Sequence, residues 1–325
     1  MAIADSPAPK RQWWRAISPP GVAPASAEAA IGIDFGGAMI EAAALDSKGR
    51  TITSISAPRP DSYDDALKIV TDLVAHIERE LKAPASVGIS VPGSLSPRTG
   101  VMRNANAIWL NGQNFRGDLS RELGRPVLLG NDSDCLALSE ATDGAAKNAR
   151  VAFAAFIGAG VGGGLVVSGR LVPGGNGIGG EWGHVSLPWP SAKEAPGPKC
   201  WCGRCGCIET WVSEAALEEE HFQITGDRMS AGKIVEVSNR GDMRVAKTME
   251  TYVHRLGRAL ASICNIIDPD VIVLGGGMAN ANALYTQLPE VIREYVFSDV
   301  WESVIVKASW GAASSLRGAA RLAHD

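Results

Sequence analysis

Four of the six cysteines in this 325-residue chain lie within eight positions, a density that is typical of a metal site. They are Cys200, Cys202, Cys205 and Cys207, and His184 lies shortly upstream. Thiolates on tight glycine turns and one imidazole suit a tetrahedral zinc ion, although spacing alone leaves copper(I) and an iron–sulfur centre open. A disulfide or unrelated free thiols are the alternatives, and disulfides are not expected because we find no secretion signal. One of the five donors is spare.

The same segment, residues 176–211, carries two carboxylates beside the predicted metal ligands. Glu181 lies just before His184, and Glu209 lies just after the last of the cysteines. Ionised carboxylates accept hydrogen bonds from hydroxyl groups, so a metal that fixes this backbone would also orient groups for a ligand. We therefore expect a polyhydroxylated ligand next to a structural metal.

Three glycine turns follow apolar stretches that are predicted to be strands. Residues 31–46 predict a strand, a turn and a second strand, residues 153–171 repeat this layout, and residues 271–278 end a further strand. The turns contain Gly36 and Gly37, then Gly158 and Gly160, then Gly275, Gly276 and Gly277. One Gly-Gly hairpin is common in β proteins, but the repeat predicts two duplicated lobes that face a cleft. Backbone N–H groups at these turns can bind phosphates and an adenosine.

Asp132 follows Asn131 at the end of a strand that we predict over residues 126–129. A carboxylate at this position can act as a general base that accepts the proton of an attacking hydroxyl group. The alternative role is structural, because Asn and Asp are favoured at helix N-caps and residues 135–140 are predicted to be helical. Position alone does not decide between a catalytic base and a cap.

These motifs resemble those of the ROK family, the bacterial repressor, open-reading-frame and kinase group. Residues 180–184 (GEWGH) and 200–209 (CWCGRCGCIE) match the ExGH and CxCGxxGCxE signatures of that family. Further matches lie at residues 91–93, 104–112, 130–132 and 265–277, so the resemblance covers nearly all of residues 29–320. It implies an α/β fold of the two-lobed actin-like ATPase (ribonuclease H-like) type, with the active-site cleft between the lobes and a zinc-bound loop.

The resemblance also assigns roles to individual residues. The zinc ligands would be His184, Cys200, Cys202 and Cys207, which makes Cys205 the spare thiol. Asp132 would be the catalytic base, and the sugar-binding residues would be Asn106, Asn131, Glu181, His184 and Glu209. The nucleotide, including its phosphates, would be bound by Asp34, Gly36, Gly37, Gly158, Gly160, Gly275, Gly276 and Gly277. The implied cofactors are structural Zn²⁺ and Mg²⁺ with ATP.

The function that the resemblance implies is ATP-dependent phosphorylation of a hexose. The residues in the matching segments favour fructose or mannose as that hexose. Two turns depart from the family pattern, because DxGGT and GTG are replaced by sequences that carry Ala38 and Ala159. Each missing threonine removes a hydroxyl donor, and a hydrogen bond to a charged group contributes about 1.5–3 kcal/mol. The alternative function is therefore a sugar-binding or sensor protein with weak or no kinase activity. A DNA-binding repressor is not favoured, because residues 1–28 are rich in Pro and Ala and do not predict a helix-turn-helix domain.

The predicted domain organisation begins with a disordered tail at residues 1–28. An N-terminal lobe at residues 29–129 is completed by a C-terminal helix at residues 312–325, and a larger lobe spans residues 130–311. Apolar periodicity predicts helices at residues 63–81, 252–267 and 314–322.

Charge and hydropathy limit the partners that we expect. The net charge is −4, which does not favour a nucleic-acid surface, and no apolar run reaches the length of a membrane span. We expect a cytoplasmic protein that binds hexose and ATP and has no nucleic-acid or membrane partner. The family resemblance further implies a homodimer.

Overall fold

The structure is a computed structural model that describes residues 29–36 and 39–323. The predicted tail at residues 1–28 lies outside the described residues, as do Gly37, Ala38 and residues 324–325. The first part of the chain forms, in order, β1 (Ala29–Asp34), β2 (Met39–Asp46), β3 (Thr51–Pro58), α1 (Tyr63–Leu81), β4 (Ser86–Val91), β5 (Ser94–Leu95), β6 (Met102–Arg103), α2 (Phe115–Glu122) and β7 (Val127–Asn131).

The second part is larger and more helical. It forms α3 (Asp132–Asp143), β8 (Val151–Ile157), β9 (Val161–Val167), β10 (Arg170–Leu171), α4 (Glu209–Val212), α5 (Glu214–Thr225), α6 (Ala231–Asn239), α7 (Ala246–Ile267), β11 (Val271–Gly275), α8 (Asn282–Tyr295), β12 (Val304–Lys307) and α9 (Ser314–Leu322). Short 3-10 helices lie at Ile108–Leu110, Trp182–His184, Met243–Val245, Gly277–Asn280 and Gly311–Ala313.

Two five-stranded sheets repeat one layout. The first has the order β3-β2-β1-β4-β7 and the second the order β10-β9-β8-β11-β12. In each sheet one strand pairs with its hairpin partner in the antiparallel direction, β1 with β2 and β8 with β9. On its other side the same strand has a parallel neighbour, β4 for β1 and β11 for β8. The duplicated hairpins predicted from the glycine turns are thus confirmed. The carboxyl ends of the parallel strands carry the loops that build the site.

Each sheet has its own apolar core. The first core packs α1 against the sheet through residues such as Val70, Val74 and Ile77. The second core lies around α7, where the buried Tyr252 hydroxyl donates a hydrogen bond of 2.8 Å to the carbonyl oxygen of Val212. No helix within residues 29–36 and 39–323 is long and apolar enough to cross a bilayer.

The terminal helix α9 packs on the first sheet and against α3. A Cβ atom at Gly32 or Gly88 would overlap the backbone of α9, and one at Gly318 would overlap the carbonyl oxygen of Cys135. Glycine is therefore required at these crossings, where helix and strand backbones come into direct contact. This contact holds the start of α3, and with it Asp132, against the first sheet.

The predicted elements agree with the structure except at the start of one helix and at both ends of one strand. The helices expected at residues 63–81 and 314–322 are confirmed, but α7 begins six residues before the predicted start at residue 252. In the first turn of α7 the exposed ion pair Lys247–Glu250 flanks the buried residues Thr248 and Met249. The apolar periodicity of the sequence is therefore weak there, and the start of the helix was placed too late. The strand expected at residues 126–129 runs instead from Val127 to Asn131.

A physical reason accounts for the shifted strand. Pro126 has no N–H to donate, whereas Gly130 and Asn131 continue the parallel register beside Ser90 and Val91. The first sheet therefore extends two residues beyond the lobe boundary that we placed after residue 129.

Candidate active site

Asp132 is the first residue of α3, directly after the carboxyl end of β7. The preceding residue, Asn131, is the N-cap, because its Oδ1 accepts a hydrogen bond of 2.9 Å from the Ser133 N–H. Its Nδ2 donates to the carbonyl oxygen of Gly93 at 3.0 Å. The capping role that the sequence left open thus belongs to Asn131, and the amide predicted to bind sugar is held between two backbone groups.

The electrostatic surroundings of Asp132 favour proton uptake. Burial raises the pKa of its carboxyl group to about 6, and the negative charges of Asp34 and Glu181 add to the shift. The hydrogen bond of 2.7 Å from the Ser133 N–H opposes the shift without cancelling it. A carboxylate with a raised pKa is a stronger base near neutral pH than an ordinary aspartate.

Asp34 lies at the end of β1, beside the first glycine turn. Its Oδ1 accepts a hydrogen bond of 3.2 Å from the Gly36 N–H, and burial raises its pKa. Gly37 and Ala38, the other predicted members of this turn, lie outside the described residues. Asp34 is close enough to Asp132 for their charges to interact, so the two strand ends converge on one place.

The second glycine turn joins β8 to β9. The Gly158 N–H donates within the turn to the carbonyl oxygen of Gly160 at 3.0 Å, while Ala159 is exposed. The N–H groups of Ala159 and Gly160 make no hydrogen bond to any residue that the structure describes. Both glycines of this turn were predicted to bind phosphate. Gly160 offers an available backbone donor, whereas Gly158 does not.

The third glycine turn follows β11 and lies beside the second. A Cβ atom at Gly276 would overlap the carbonyl oxygen of Ile157, and one at Gly275 would overlap the side chain of Leu136. These close approaches explain the run of glycines, since any side chain would separate β11 from its neighbours. Gly277 faces the side chain of Glu214, a residue that the sequence analysis did not single out.

Glu181 and His184 are carried by a short segment that lies tightly on β9. The indole nitrogen of Trp182 donates to the carbonyl oxygen of Gly162 at 2.6 Å, and the ring packs in the second core. Gly180 adopts a φ of +86°, and a Cβ atom there would overlap the carbonyl oxygen of Gly163. The glycines of the GEWGH motif thus allow the backbone contact that brings the Glu181 charge close to Asp132.

Asn106 lies in an exposed loop of the first lobe, before the 3-10 helix Ile108–Leu110. The side chain of Asn111 clamps this loop, accepting from the Ala105 N–H and donating to the Ala105 carbonyl oxygen, both at 2.9 Å. The Asn106 Oδ1 accepts a hydrogen bond of 3.4 Å from Arg59. Across the cleft, Arg103 donates to the carbonyl oxygen of Asn176, which links this lobe to the segment that carries Glu181.

The four predicted metal ligands lie together. The donor atoms of His184, Cys200, Cys202 and Cys207 all lie within 4.8 Å of one another. His184 presents Nδ1 to the cluster, 3.6 Å from the Cys200 Sγ, and the Sγ atoms of Cys202 and Cys207 are also 3.6 Å apart. A tetrahedral zinc ion with bonds of about 2.3 Å places its sulfur ligands roughly 3.8 Å apart, so the cluster fits zinc.

The chemistry of the thiols also suits a cation. Burial raises the pKa of Cys207 to about 12 and raises that of Cys200, whereas a hydrogen bond from the Arg204 N–H lowers the pKa of Cys202. A bound divalent ion would hold all three as thiolates. Cys205 is exposed and is not a member of the cluster.

An ion-pair network holds the loop before the cysteines to α7. Glu194 accepts hydrogen bonds from Arg255 at 2.9 Å and from Arg258 at 2.8 Å. Burial acts to raise the pKa of Glu194, but the bonds from Arg258, from the Ser191 N–H and from Arg255 outweigh it and lower the value to about 2. The loop is thereby anchored at Glu194, and it leads into the group of four predicted metal ligands.

A comparison with known proteins decides the family. The model of the ROK family matches residues 30–325. The chain belongs to the ROK family. N-Acetyl-D-glucosamine kinase of Pectobacterium atrosepticum is 34% identical over 296 residues, which cover 90% of this chain and 97% of that protein. The corresponding kinase of Escherichia coli O6:H1 is 35% identical over 296 residues, covering 90% of this chain and 98% of that protein.

Solved structures of ROK proteins share the fold. The ROK hexokinase of Thermus thermophilus superposes with a TM-score of 0.79 at 32% identity, covering 90% of this chain and 97% of that one. A ROK glucokinase of Streptomyces griseus in complex with glucose and AMPPNP gives 0.77 at 23% identity, covering 91% and 99%. The predicted two-lobed actin-like fold is therefore confirmed. The preference for fructose or mannose is not confirmed, since the two kinases that match at 34% and 35% identity are named for N-acetyl-D-glucosamine.

Two carboxyl groups near the site of this ROK protein were not predicted from the sequence. Asp134 lies in the first turn of α3, where burial raises its pKa to about 7 and the charges of Asp132 and Glu181 add to the shift. Its buried Oδ1 has no hydrogen-bond partner among the residues that the structure describes. The Asp-x-Asp spacing after β7 was the available signal. Glu214 gave none, because an acidic residue at a helix start is ordinary.

Proposed function

We propose that this ROK-family protein is a kinase that transfers the γ-phosphoryl group of ATP to a hydroxyl group of a hexose. The observation that carries the proposal is the position of Asp132. Its carboxyl group has a raised pKa and lies at a strand end, close to the charges of Asp34 and Glu181. It thus lies between a glycine turn suited to phosphates and a carboxylate suited to sugar hydroxyls.

The proposed reaction places Asp132 as the general base. The sugar hydroxyl oxygen attacks the γ-phosphorus, the bond from that phosphorus to the β–γ bridging oxygen breaks, and ADP leaves. The hydroxyl proton passes to the carboxylate of Asp132. Asp34 has the carboxylate oxygens that Mg²⁺ prefers, and the ion would neutralise charge on the phosphates. The N–H groups of Ala159 and Gly160 remain as donors at the second turn.

Residues of the zinc-binding segment would orient the sugar. Glu181 and Glu209 are acceptors for sugar hydroxyls, and His184 turns Nδ1 to the metal cluster, which leaves Nε2 for the ligand. A zinc ion bound by His184 and the three cysteines would fix this backbone without taking part in the chemistry. We propose that the zinc ion is structural.

The comparisons support a hexose substrate and direct the choice of sugar. N-Acetyl-D-glucosamine is the first candidate, because relatives that match nearly the whole chain at 34–35% identity are kinases of that sugar. Fructose and mannose, which the residues of the matching motifs favoured, remain in the panel as second candidates. The 2-acetamido group distinguishes the first from the others, so a matched panel separates them directly.

A second candidate function is a sugar-binding protein with weak or no kinase activity. Ala159 favours it, because the exposed second turn has no side-chain hydroxyl to offer to a phosphate. Ala38 adds the same loss in the first turn. This function would retain the sugar-orienting segment and lose phosphoryl transfer.

A coupled assay of ADP release across a sugar panel tests the proposal. The panel contains N-acetylglucosamine, glucose, mannose and fructose, each at saturating ATP and Mg²⁺, and sugar-induced thermal stabilisation is measured in parallel. We expect sugar-dependent ADP release with at least one hexose. Stabilisation by a sugar without ADP release from any of them would instead support the sugar-binding function.

A further inference from the structure

Glu214 lies at the junction of the second and third glycine turns. It is the first residue of α5, after the N-cap Ser213, and its N–H donates to the carbonyl oxygen of Gly158 at 2.9 Å. One carboxylate oxygen of Glu214 occupies the space that a Cβ atom of Gly277 would take, and it lies 3.9 Å from the Cβ position of Gly158. The carboxylate therefore lies over both turns and not along the outside of its helix.

Within the part of the chain that the structure describes, no partner of the carboxylate explains this position. Among residues 29–36 and 39–323, the Glu214 carboxylate has no hydrogen-bond donor and no ion-pair partner. Burial raises its pKa, and the charge of Glu218 one turn later adds to the shift. An acidic residue in the first turn of a helix stabilises the helix wherever its side chain points, so that role does not require contact with Gly277.

The order of groups in a nucleotide indicates what this carboxylate would meet. The second turn offers free backbone N–H donors that suit phosphates, and we assign the adenosine of the proposed nucleotide to the third turn beside it. The group that connects phosphates to base is the ribose, which would lie between the two turns, at Glu214. A carboxylate repels phosphate oxygens but accepts hydrogen bonds from a pair of hydroxyl groups.

We propose that Glu214 binds the ribose hydroxyls of the nucleotide, which makes the site selective for ribonucleotides over 2′-deoxyribonucleotides. This inference rests on the proposed function, because it requires a nucleotide in the cleft. It assigns a specificity-determining role to a side chain that does not touch the phosphoryl group in transfer. Hydrogen bonds to a charged acceptor predict that ADP binds about tenfold or more tightly than 2′-deoxy-ADP.

The test is a thermodynamic cycle that measures binding and needs no turnover. Dissociation constants for ADP and 2′-deoxy-ADP, each with Mg²⁺, are measured by calorimetry for the wild type and for Glu214→Ala. Glu219→Ala is the matched control, because Glu219 lies on the same helix, is exposed and, among the residues that the structure describes, has a side-chain hydrogen bond only with Gln223 of its own helix. We expect Glu214→Ala to weaken ADP binding more than 2′-deoxy-ADP binding, because 2′-deoxy-ADP loses only the bond from its 3′-hydroxyl. The preference for ADP should therefore disappear in Glu214→Ala and stay at the wild-type value in Glu219→Ala.

The alternative results separate this inference from the proposed function. Tighter binding of both nucleotides by Glu214→Ala would show that the carboxylate repels phosphate, and equal wild-type affinity for both would show that it ignores the ribose. Either result overturns the inference about Glu214 and leaves the proposed kinase function untouched. If the four dissociation constants come out as expected but no sugar causes ADP release, the role of Glu214 is supported and the proposed kinase function is overturned. A wild type that binds neither nucleotide overturns both.

Discussion

The indole nitrogen of Trp201 donates a hydrogen bond of 2.6 Å to Oε1 of Glu209. The same indole meets the ring of His184 edge-on, with centroids 4.9 Å apart, and the other oxygen of Glu209 accepts from the Val161 N–H at 2.9 Å. One side chain of the cysteine-rich loop thus joins a proposed metal ligand to a proposed sugar ligand and, through Glu209, to the second glycine turn.

Substitution of this indole is expected to weaken sugar binding without unfolding the protein. Trp201→Phe keeps an aromatic ring beside His184 but removes the donor that orients Glu209, so we expect sugar affinity to fall about tenfold. Stability should change little, because Trp201 is 67% exposed. Calorimetric titration with the sugar measures the effect, and Trp189→Phe, at another exposed tryptophan of the same loop, is the control. Unchanged affinity in Trp201→Phe would refute the link.

The metal cluster predicts a defined stoichiometry and a defined set of ligands. Metal analysis of the purified protein is expected to find one zinc per chain, which Cys202→Ser loses and Cys205→Ser retains. Zinc removal should also lower the melting temperature and weaken sugar binding, because the segment that carries His184 and Glu209 loses its anchor. A protein without zinc, or one in which Cys205→Ser loses zinc while Cys207→Ser keeps it, would contradict the assignment.

The raised pKa of Asp132 predicts the acidic limb of the rate profile. A general base must be ionised, so kcat/KM should fall as pH drops below about 6, the pKa of this carboxyl group. The negative charge of Glu181 contributes to that value, so Glu181→Gln should move the midpoint of the limb to lower pH, whatever its effect on the sugar KM. The midpoint of Glu80→Gln, at an exposed glutamate on α1, should stay at the wild-type value. An unmoved midpoint in Glu181→Gln would contradict the electrostatic account.

Threonines restored at the two phosphate turns test whether the alanines limit nucleotide use. Ala38→Thr with Ala159→Thr adds a hydroxyl donor at each turn, and a gain of about tenfold in kcat/KM for ATP corresponds to one hydrogen bond of roughly 1.4 kcal/mol. Both turns face the same phosphates in the proposed site, so the two effects should couple. The sugar KM is the internal control. No gain, in a wild type that already turns over at an ordinary rate, would show that the alanines are harmless.

Local patterns predicted much of this site. Spacing showed that a metal site lies among His184 and the four cysteines, and the resemblance to the family signature chose the four ligands. The paired hairpins could be predicted because each glycine turn follows its own apolar strand. The cap could not be assigned, because Asn131 and Asp132 are both good N-caps and only the backbone places Asn131 there. The position of Glu214 over Gly277 depends on tertiary packing between α5 and the end of β11, which no local spacing encodes.

Asp132→Asn tests the central claim most directly, because it keeps the shape of the side chain and removes the ability to accept a proton. The measurement is sugar-dependent ADP release at saturating ATP and sugar, with sugar-induced thermal stabilisation as the control for binding. We predict that turnover falls at least about 100-fold while the stabilisation by sugar stays at the wild-type level. Turnover close to that of the wild type would contradict the claim that Asp132 is the base of a sugar kinase.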